Sequence, residues 1–229
     1  ESWIGRRIQS DYVIEVIEPP KTPSYLYYLS DYSPGLTLGQ WMQKHPKPAT
    51  QVMLDIILPV AKGLQAMHRR DTFHQDIKPD NILVGDDGAV KIIDFGSCYV
   101  AGLAEIAVPI ERDKVLGTAQ YSAPEHILGR RPSGRADQFS LAAIVFEMLT
   151  GQLPYQGRLQ NCATTIAFSR MEYVSACAYN AHVPLWLDAS LARALSISPE
   201  LRYSDVSEFV YDLANPNPEF MKDTFQPLL

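Results

Sequence analysis

The chain has 229 residues, 46% of them hydrophobic and 20% charged, and a formal net charge of −6. That length and composition bury one sizeable core and predict one large domain or two small ones. The acidic balance argues against binding nucleic acid or an anionic membrane by charge alone, so a bound phosphate is expected to be held locally, together with a metal ion.

Two short strands are predicted near the start of the chain. Residues 11–18 and 24–32 are rich in β-branched and aromatic side chains, and the prolines at 19, 20 and 23 separate them. Such runs around a proline-rich turn predict two antiparallel strands. The residues in front of them have the character of a helix end, and because the chain starts with Glu1 instead of Met, we expect that further residues precede it.

A long amphipathic helix is predicted from Thr50 to about Arg70, with a bend at Pro59. Its apolar residues recur at intervals of three and four, which is the period of one helix face. They are Met53, Ile56, Ile57, Val60, Leu64 and Met67.

A hairpin and a buried helix are predicted further along the chain. Residues 82–84 and 90–93 flank a Gly-Asp-Asp-Gly turn, whose residue types tolerate the positive φ of tight turns. Residues 137–149 are apolar nearly all round, as expected of a helix inside a core. Several shorter helices are expected after it.

The remaining composition predicts a cytoplasmic protein. Cys98, Cys162 and Cys177 are odd in number and widely spaced, which is typical of reduced thiols rather than of disulfides or a zinc site. No run of about 18 apolar residues and no signal-peptide pattern occurs, so no membrane insertion by this segment is expected.

The motif that carries chemistry is His-Gln-Asp-Ile-Lys-Pro-Asp-Asn at residues 74–81, followed by Asp-Phe-Gly at residues 94–96. Phosphoryl transfer needs a carboxylate that orients the attacking hydroxyl, oxygen ligands for magnesium, and a cation near the transferred phosphate. All of these occur within this stretch. In order and spacing the motif resembles the eukaryotic-type serine/threonine protein kinases.

The resemblance implies a role for each residue of the motif. Asp76 occupies the position of the catalytic base, and Lys78 that of the cation on the γ-phosphate of ATP. Asn81 and Asp94 occupy the positions of the Mg2+ ligands, and the predicted hairpin between them would bring them together. The lysine two residues after the base is similar to the serine/threonine branch, which implies a protein substrate with Ser or Thr.

Further matches concern the scaffold and the adenine pocket. The Ser-Ala-Pro-Glu sequence at 122–125 resembles the end of the activation segment, and the resemblance implies a buried ion pair between Glu125 and Arg202. It also implies that Asp137 braces the catalytic loop. At the front, Asp31 and Ser33 resemble the hinge that reads adenine through backbone groups. Ser30 then holds the gatekeeper position, and Leu83 supports adenine from below.

The fold class implied is α+β and protein-kinase-like. Residues 1–33 are expected to be the hinge and a remnant of the small lobe, with a helix end and two strands, and residues 34–229 a mostly helical large catalytic lobe. Glu1 matches the helix glutamate of the small lobe by spacing, but a residue at an arbitrary cut site would look the same.

The sequence departs from the family in two places. It contains no Gly-rich phosphate loop and no strand lysine, although the resemblance implies a segment of about 50 to 60 residues that carries both ahead of residue 1. We therefore expect a fragment that is inactive alone, from an active parent enzyme. Second, Gln75 replaces the arginine that usually pairs with a phosphorylated activation segment, which predicts constitutive activity of the parent. The non-tyrosine hydroxyls of that segment are those at positions 97, 118 and 122.

A weaker resemblance is to bacterial kinase domains that share a chain with a serine/threonine phosphatase domain. It implies a membrane tether through sequence beyond residue 229. Two other functions stay open: a pseudokinase that serves as a docking domain, and a small-molecule phosphotransferase of the aminoglycoside type. The second fits less well, because Lys78 and the Ala-Pro-Glu motif belong to protein kinases.

Overall fold

The computed structural model describes residues 2–17, 29–101 and 120–216. In this part of the chain, helices and small antiparallel sheets are mixed, in agreement with the predicted α+β class. The helices are α1 Ser2–Arg7, α2 Leu38–Lys44, α3 Thr50–His68, α4 Pro124–Ile127, α5 Gly134–Thr150, α6 Thr165–Ser169, α7 Leu185–Ala194 and α8 Val206–Ala214. The strands are β1 Val16–Ile17, β2 Leu29–Ser30, β3 Gly35–Thr37, β4 Thr72–Phe73, β5 Ile82–Gly85, β6 Val90–Ile92 and β7 Tyr99–Val100.

The core lies among the long helices. α3 packs against α5 and α8, and α7 packs against the same two helices. The predicted inward positions of α3 are all buried, which confirms its period. α5 is buried on nearly every side, again as predicted, and begins three residues earlier than the apolar run suggests. Each fully buried Leu, Ile, Phe or Met contributes about 1.5–3 kcal/mol relative to an exposed one.

A small antiparallel sheet contains the two strands that follow the loop of residues 74–81 in the chain. β3, β5 and β6 form one antiparallel sheet, in which Thr37 pairs with Leu83 and Leu83 with Lys91. α2 starts directly after β3 through a capping box: the Gln40 N–H donates to Thr37 Oγ1, and the Thr37 N–H donates to Gln40 Oε1. The reciprocal bonds satisfy two amide groups that the helix itself leaves unpaired.

The predicted hairpin is formed by β5 and β6. Its turn contains Gly88 at φ 83°, a conformation that glycine adopts without a steric penalty. Just beyond the paired strands, the Ile93 N–H donates to the Asn81 carbonyl at 2.9 Å. The hairpin therefore brings the residues that follow β6 back next to Asn81.

The front of the chain is attached to this sheet. β1 and β2 pair antiparallel as predicted, with Val16 opposite Ser30, but β1 is shorter than the predicted strand. Most of the second predicted strand, and Glu1, lie outside the described residues. Two backbone bonds of 2.9 Å join the segment before β1 to β6, one from the Ile14 N–H to the Ile92 carbonyl and one from the Ile92 N–H to the Tyr12 carbonyl.

α1 packs closely on the rest of the molecule at Gly5. A Cβ atom at this position would lie 2.1 Å from Val16 Cγ2 and 3.1 Å from the Phe95 ring. Only glycine allows the helix to approach so near.

The cysteines Cys98, Cys162 and Cys177 are free. None of the helices in the described ranges is both long enough and apolar enough to span a bilayer.

Candidate active site

The loop of residues 74–81 is held in place by Asp137, in the first turn of α5. The backbone N–H groups of His74 and Gln75 donate to Asp137 Oδ2 at 2.9 Å and to Oδ1 at 2.8 Å. Gln75 has a φ of 67°, a conformation unfavourable for a side chain with a Cβ atom. The carboxylate offsets this cost by accepting both consecutive amides, so the bracing role that the resemblance implied for Asp137 is confirmed.

A third donor reaches the same carboxylate. His68 Nε2, at the end of α3, lies 2.8 Å from Asp137 Oδ2. Burial alone would raise the pKa of Asp137, but the hydrogen bond and charge of His68 and the bond from the Gln75 amide act against burial, and the pKa is lowered. Asp137 is therefore a buried anion that fixes the loop.

Three of the predicted site residues are bonded to one another. Lys78 Nζ donates to Asp76 Oδ2 at 2.7 Å. Asn81 Nδ2 donates to the Asp76 carbonyl at 2.8 Å and to Asp76 Oδ2 at 3.1 Å. Among the described residues no donor is bonded to Asp76 Oδ1, so one oxygen of a fixed and partly exposed carboxylate remains to accept a further hydrogen bond.

Asp94 lies beside this group. The bond from Ile93 to the Asn81 carbonyl places the start of Asp94 next to Asn81. Asp94 has a φ of 68°, and its Oδ1 accepts from the Gly96 N–H at 2.9 Å. This bond supports the left-handed turn, and Asp94 as a residue is exposed to solvent.

His74 lies beneath these carboxylates and is fully buried. Its Nε2 lies 3.3 Å from the Ile93 carbonyl. Burial lowers its pKa, although the negative charges of Asp137, Asp76 and Asp94 act in the opposite direction. A neutral imidazole therefore packs under the site.

The donor set fits a magnesium ion. With Asn81 Nδ2 donating to Asp76 and Asp94 Oδ1 accepting from Gly96, the oxygens that could serve as metal ligands are Asn81 Oδ1 and Asp94 Oδ2. The described residues contain no group of three or more His, Cys, Asp or Glu that could hold a metal by itself. Two protein oxygens match Mg2+, which is usually bound through one or two side chains together with phosphate oxygens and water.

A cavity of about 300 Å³ opens next to Asp94. Its walls include the exposed Ser30 and Asp31, together with Ser33 and the half-buried Leu83. The Asp31 N–H donates to the Glu15 carbonyl, which leaves the Asp31 carbonyl for other partners. The volume is at the small end of the usual range for ligand pockets. The structure thus groups the predicted hinge residues and Leu83 around one space that reaches Asp94.

The predicted ion pair between Glu125 and Arg202 is confirmed. Arg202 Nη1 and Nη2 donate to the two carboxylate oxygens at 2.7 and 2.8 Å, and both side chains are buried. The other Arg202 donors reach the carbonyls of Ser196, Ile197 and Arg135. This fork-to-fork arrangement fixes the end of the activation segment on the helical core.

Two contacts near the site were not predicted from the sequence. Tyr121 donates its hydroxyl to Glu147 Oε2 at 2.6 Å, and burial raises the pKa of both groups. Gln75 Nε2 donates to the Ser97 carbonyl at 3.1 Å. A signal for the first was present, because Glu147 is the one carboxylate in the last three turns of the apolar helix α5.

Comparison with known proteins agrees with this geometry. The family model described as "Protein kinase domain" matches residues 1–219. A probable serine/threonine-protein kinase of Clostridium acetobutylicum is 27% identical over 97% of this chain and 33% of its own length. The serine/threonine-protein kinase PknL of Mycobacterium tuberculosis is 32% identical over 90% of this chain and 51% of its own length. Serine/threonine-protein kinase Pkn1 of Myxococcus xanthus is 31% identical over 86% of this chain and 28% of its own length. The chain thus spans about half or less of these relatives.

Proposed function

The chain belongs to the protein kinase family, and from this membership we propose that the protein transfers the γ-phosphate of ATP to serine or threonine side chains of proteins. The observation that carries the proposal is the bonded group of Asp76, Lys78 and Asn81 with Asp94 next to it. The names of the relatives, all serine/threonine-protein kinases, favour the same reaction.

In the proposed reaction Asp76 orients the attacking hydroxyl. Its free Oδ1 accepts the hydroxyl hydrogen, while Lys78 and Asn81 hold Oδ2. Lys78 lies close enough to this carboxylate to place its ammonium beside the transferred phosphate. Positioning and charge neutralisation of this kind account for most of the catalysis of phosphoryl transfer.

The nucleotide is proposed to occupy the cavity beside Asp94. The Asp31 carbonyl and the Ser33 N–H would bond the adenine edge, and Leu83 would pack against its face. Asn81 Oδ1 and Asp94 Oδ2 would hold Mg2+, which supplies positive charge to the phosphate oxygens. A Gly-rich loop and a strand lysine do not occur within residues 1–229, so we propose that residues 1–229 alone transfer phosphate poorly. We place the activity in the cytoplasm of a bacterium, which the three free thiols and the bacterial relatives support.

The test is Asp76→Asn in the full-length protein, assayed by transfer of labelled γ-phosphate to a serine-containing protein such as dephosphorylated casein. We expect a loss of at least about 100-fold, because the amide cannot accept the hydroxyl proton. ATP affinity, measured by calorimetry, is expected to change less than about twofold, because Asp76 does not contact the proposed nucleotide cavity.

Asp71→Asn is the matched control. Asp71 is an exposed carboxylate just before the loop, with a φ of 50° that asparagine tolerates. Its activity should equal that of the wild type. Full activity of Asp76→Asn, or labelling of an aminoglycoside in place of protein by the wild type, would contradict the proposal.

A further inference from the structure

A second cavity lies on another face of the helical core, in front of the starts of α5 and α8. Its volume is about 620 Å³, and none of its lining residues lines the cavity proposed for the nucleotide. One wall is formed by residues 130–135 and the other by residues 199–206.

Three arginines line the first wall: Arg130, Arg131 and Arg135. Residues 126–136 contain no aspartate or glutamate, although the chain as a whole has a net charge of −6. Within the described ranges, the guanidinium groups of these arginines form no hydrogen bond and no close ion pair. Three forks of N–H donors are therefore available around one concave surface.

The carboxylates that line the cavity, in contrast, already have partners. Glu125 is bound by Arg202, and Asp205 caps α8 by accepting from the Ser207 N–H at 2.6 Å. Glu200 Oε2 accepts from Ser198 Oγ at 2.8 Å; bonds from its own backbone and from Ser198, with the charges of Arg135 and Arg130, lower the pKa of Glu200, so it offsets part of the arginine charge. The excess hydrogen-bonding capacity of the cavity is thus on the cationic side.

The arginine backbone is anchored to the buried ion pair. The Arg130 N–H donates to the Glu125 carbonyl at 2.9 Å, and Arg202 Nη1 donates to the Arg135 carbonyl at 3.0 Å. Ser133, the residue before α5, also lines the cavity, and its hydroxyl makes no capping bond to the helix. A backbone that is fixed before binding lowers the entropic cost of capturing a ligand.

We propose that this cavity, lined by Arg130, Arg131 and Arg135, binds a phosphorylated serine or threonine side chain of a polypeptide. Arginine forks match the oxygens of a phosphate in paired, charge-assisted hydrogen bonds, and three of them suit a dianion better than a single carboxylate. A concave site accommodates one side chain, whereas a bilayer presents a flat anionic surface that the net negative charge of the chain would repel. Binding does not rest on the phosphotransfer proposed above.

The test is fluorescence anisotropy of a labelled, degenerate peptide pool with one central phosphoserine, compared with the same pool with serine. We expect the phosphorylated pool to bind the purified protein at least about tenfold more tightly, since each hydrogen bond to a charged group contributes on the order of tenfold in affinity. The double variant Arg130→Gln/Arg131→Gln should lose at least about tenfold. Asp76→Asn should bind like the wild type, which separates this site from the proposed transfer reaction.

Arg170→Gln/Lys44→Gln is the matched control, because both residues are exposed and neither lines the cavity. This variant loses two positive charges, as the arginine variant does, and should bind the phosphorylated pool within about twofold of the wild type. The proposal would be overturned if the two peptide pools bind equally or if both double variants lose the same affinity. It would also be overturned if inorganic phosphate displaces the peptide at a phosphate concentration equal to the Kd of the peptide, because the site would then bind a free ion as well as it binds the peptide. Binding of the wild-type protein to phosphatidylserine vesicles would also overturn the proposal if the arginine variant loses this binding and the control variant keeps it.

Discussion

Replacing Arg202 with methionine should destabilise the fold strongly. The change removes both bonds to Glu125 and leaves its carboxylate, 6% exposed, without a counter-charge. It also removes the donors of three carbonyl groups. Breaking a buried pair from one side costs about 3–5 kcal/mol, a large share of the roughly 5–15 kcal/mol that stabilises a domain. At about 2–4 °C per kcal/mol for a chain of this size, the melting temperature should fall by about 6–20 °C.

Urea unfolding followed by circular dichroism measures this loss as a shift of the midpoint at constant slope. Arg193→Met is the control: Arg193 is exposed and lies 4.0 Å over the Tyr203 ring, so its loss should cost about 1 kcal/mol or less. The double variant Glu125→Leu/Arg202→Met should recover part of the stability, because no orphan charge remains, but not the part that belongs to the unpaired carbonyls. If Arg202→Met and Arg193→Met are equally stable, the reasoning from burial is wrong.

Three further predictions concern the site. Burial lowers the pKa of His74 in the folded protein, so on acidification the unfolded chain binds a proton at this residue before the folded one does. The free energy of unfolding should therefore fall as the pH drops below about 6.5 towards the lowered pKa of the folded state. In urea titrations, His74→Gln should lack this pH-dependent loss of stability. A pH-independent wild type would contradict it. Because the Ser30 side chain is smaller than the usual apolar gatekeeper, we expect a deeper pocket behind the adenine site. Ser30→Met should then weaken the binding of ATP analogues with bulky adenine substituents while leaving ATP unaffected, in calorimetry of the full-length protein; equal affinities of the two proteins for the analogues would refute this deeper pocket. Because Gln75 bonds the Ser97 carbonyl without any phosphate, phosphorylating the activation segment should leave the transfer rate within about twofold, and a several-fold rise would show that a switch exists.

Periodic and local features were predictable from the sequence. The apolar residues of α3 recur with the helical period over many residues, and those of α5 form a long apolar run, so both helices are visible in the sequence. The turn between β5 and β6 is determined by the Gly and Asp residues that form it. The grouping of Asp76, Lys78 and Asn81 also has a local cause, because the three lie within six residues and are bonded within one loop. Their roles in transfer stay a prediction, and so does the boundary between residues 33 and 34.

Features made by distant segments were not predictable in the same way. β4 and β7 have two residues each, too few to show a period, and their pairing of Thr72 with Val100 depends on the finished fold. The bond from His68 to Asp137 joins residues 69 apart, and no local pattern marks it. The pair of Glu125 and Arg202, 77 residues apart, was expected only through the family resemblance.

The missing side chain at Gly5 has a consequence for Asp94. Because α1 rests directly on the Phe95 ring, the helix and the ring share one space, and neither moves without making room for the other. Phe95 follows Asp94 in the chain. A displacement of the first helix would therefore press on Phe95, the residue that directly follows the carboxylate proposed to hold the magnesium ion.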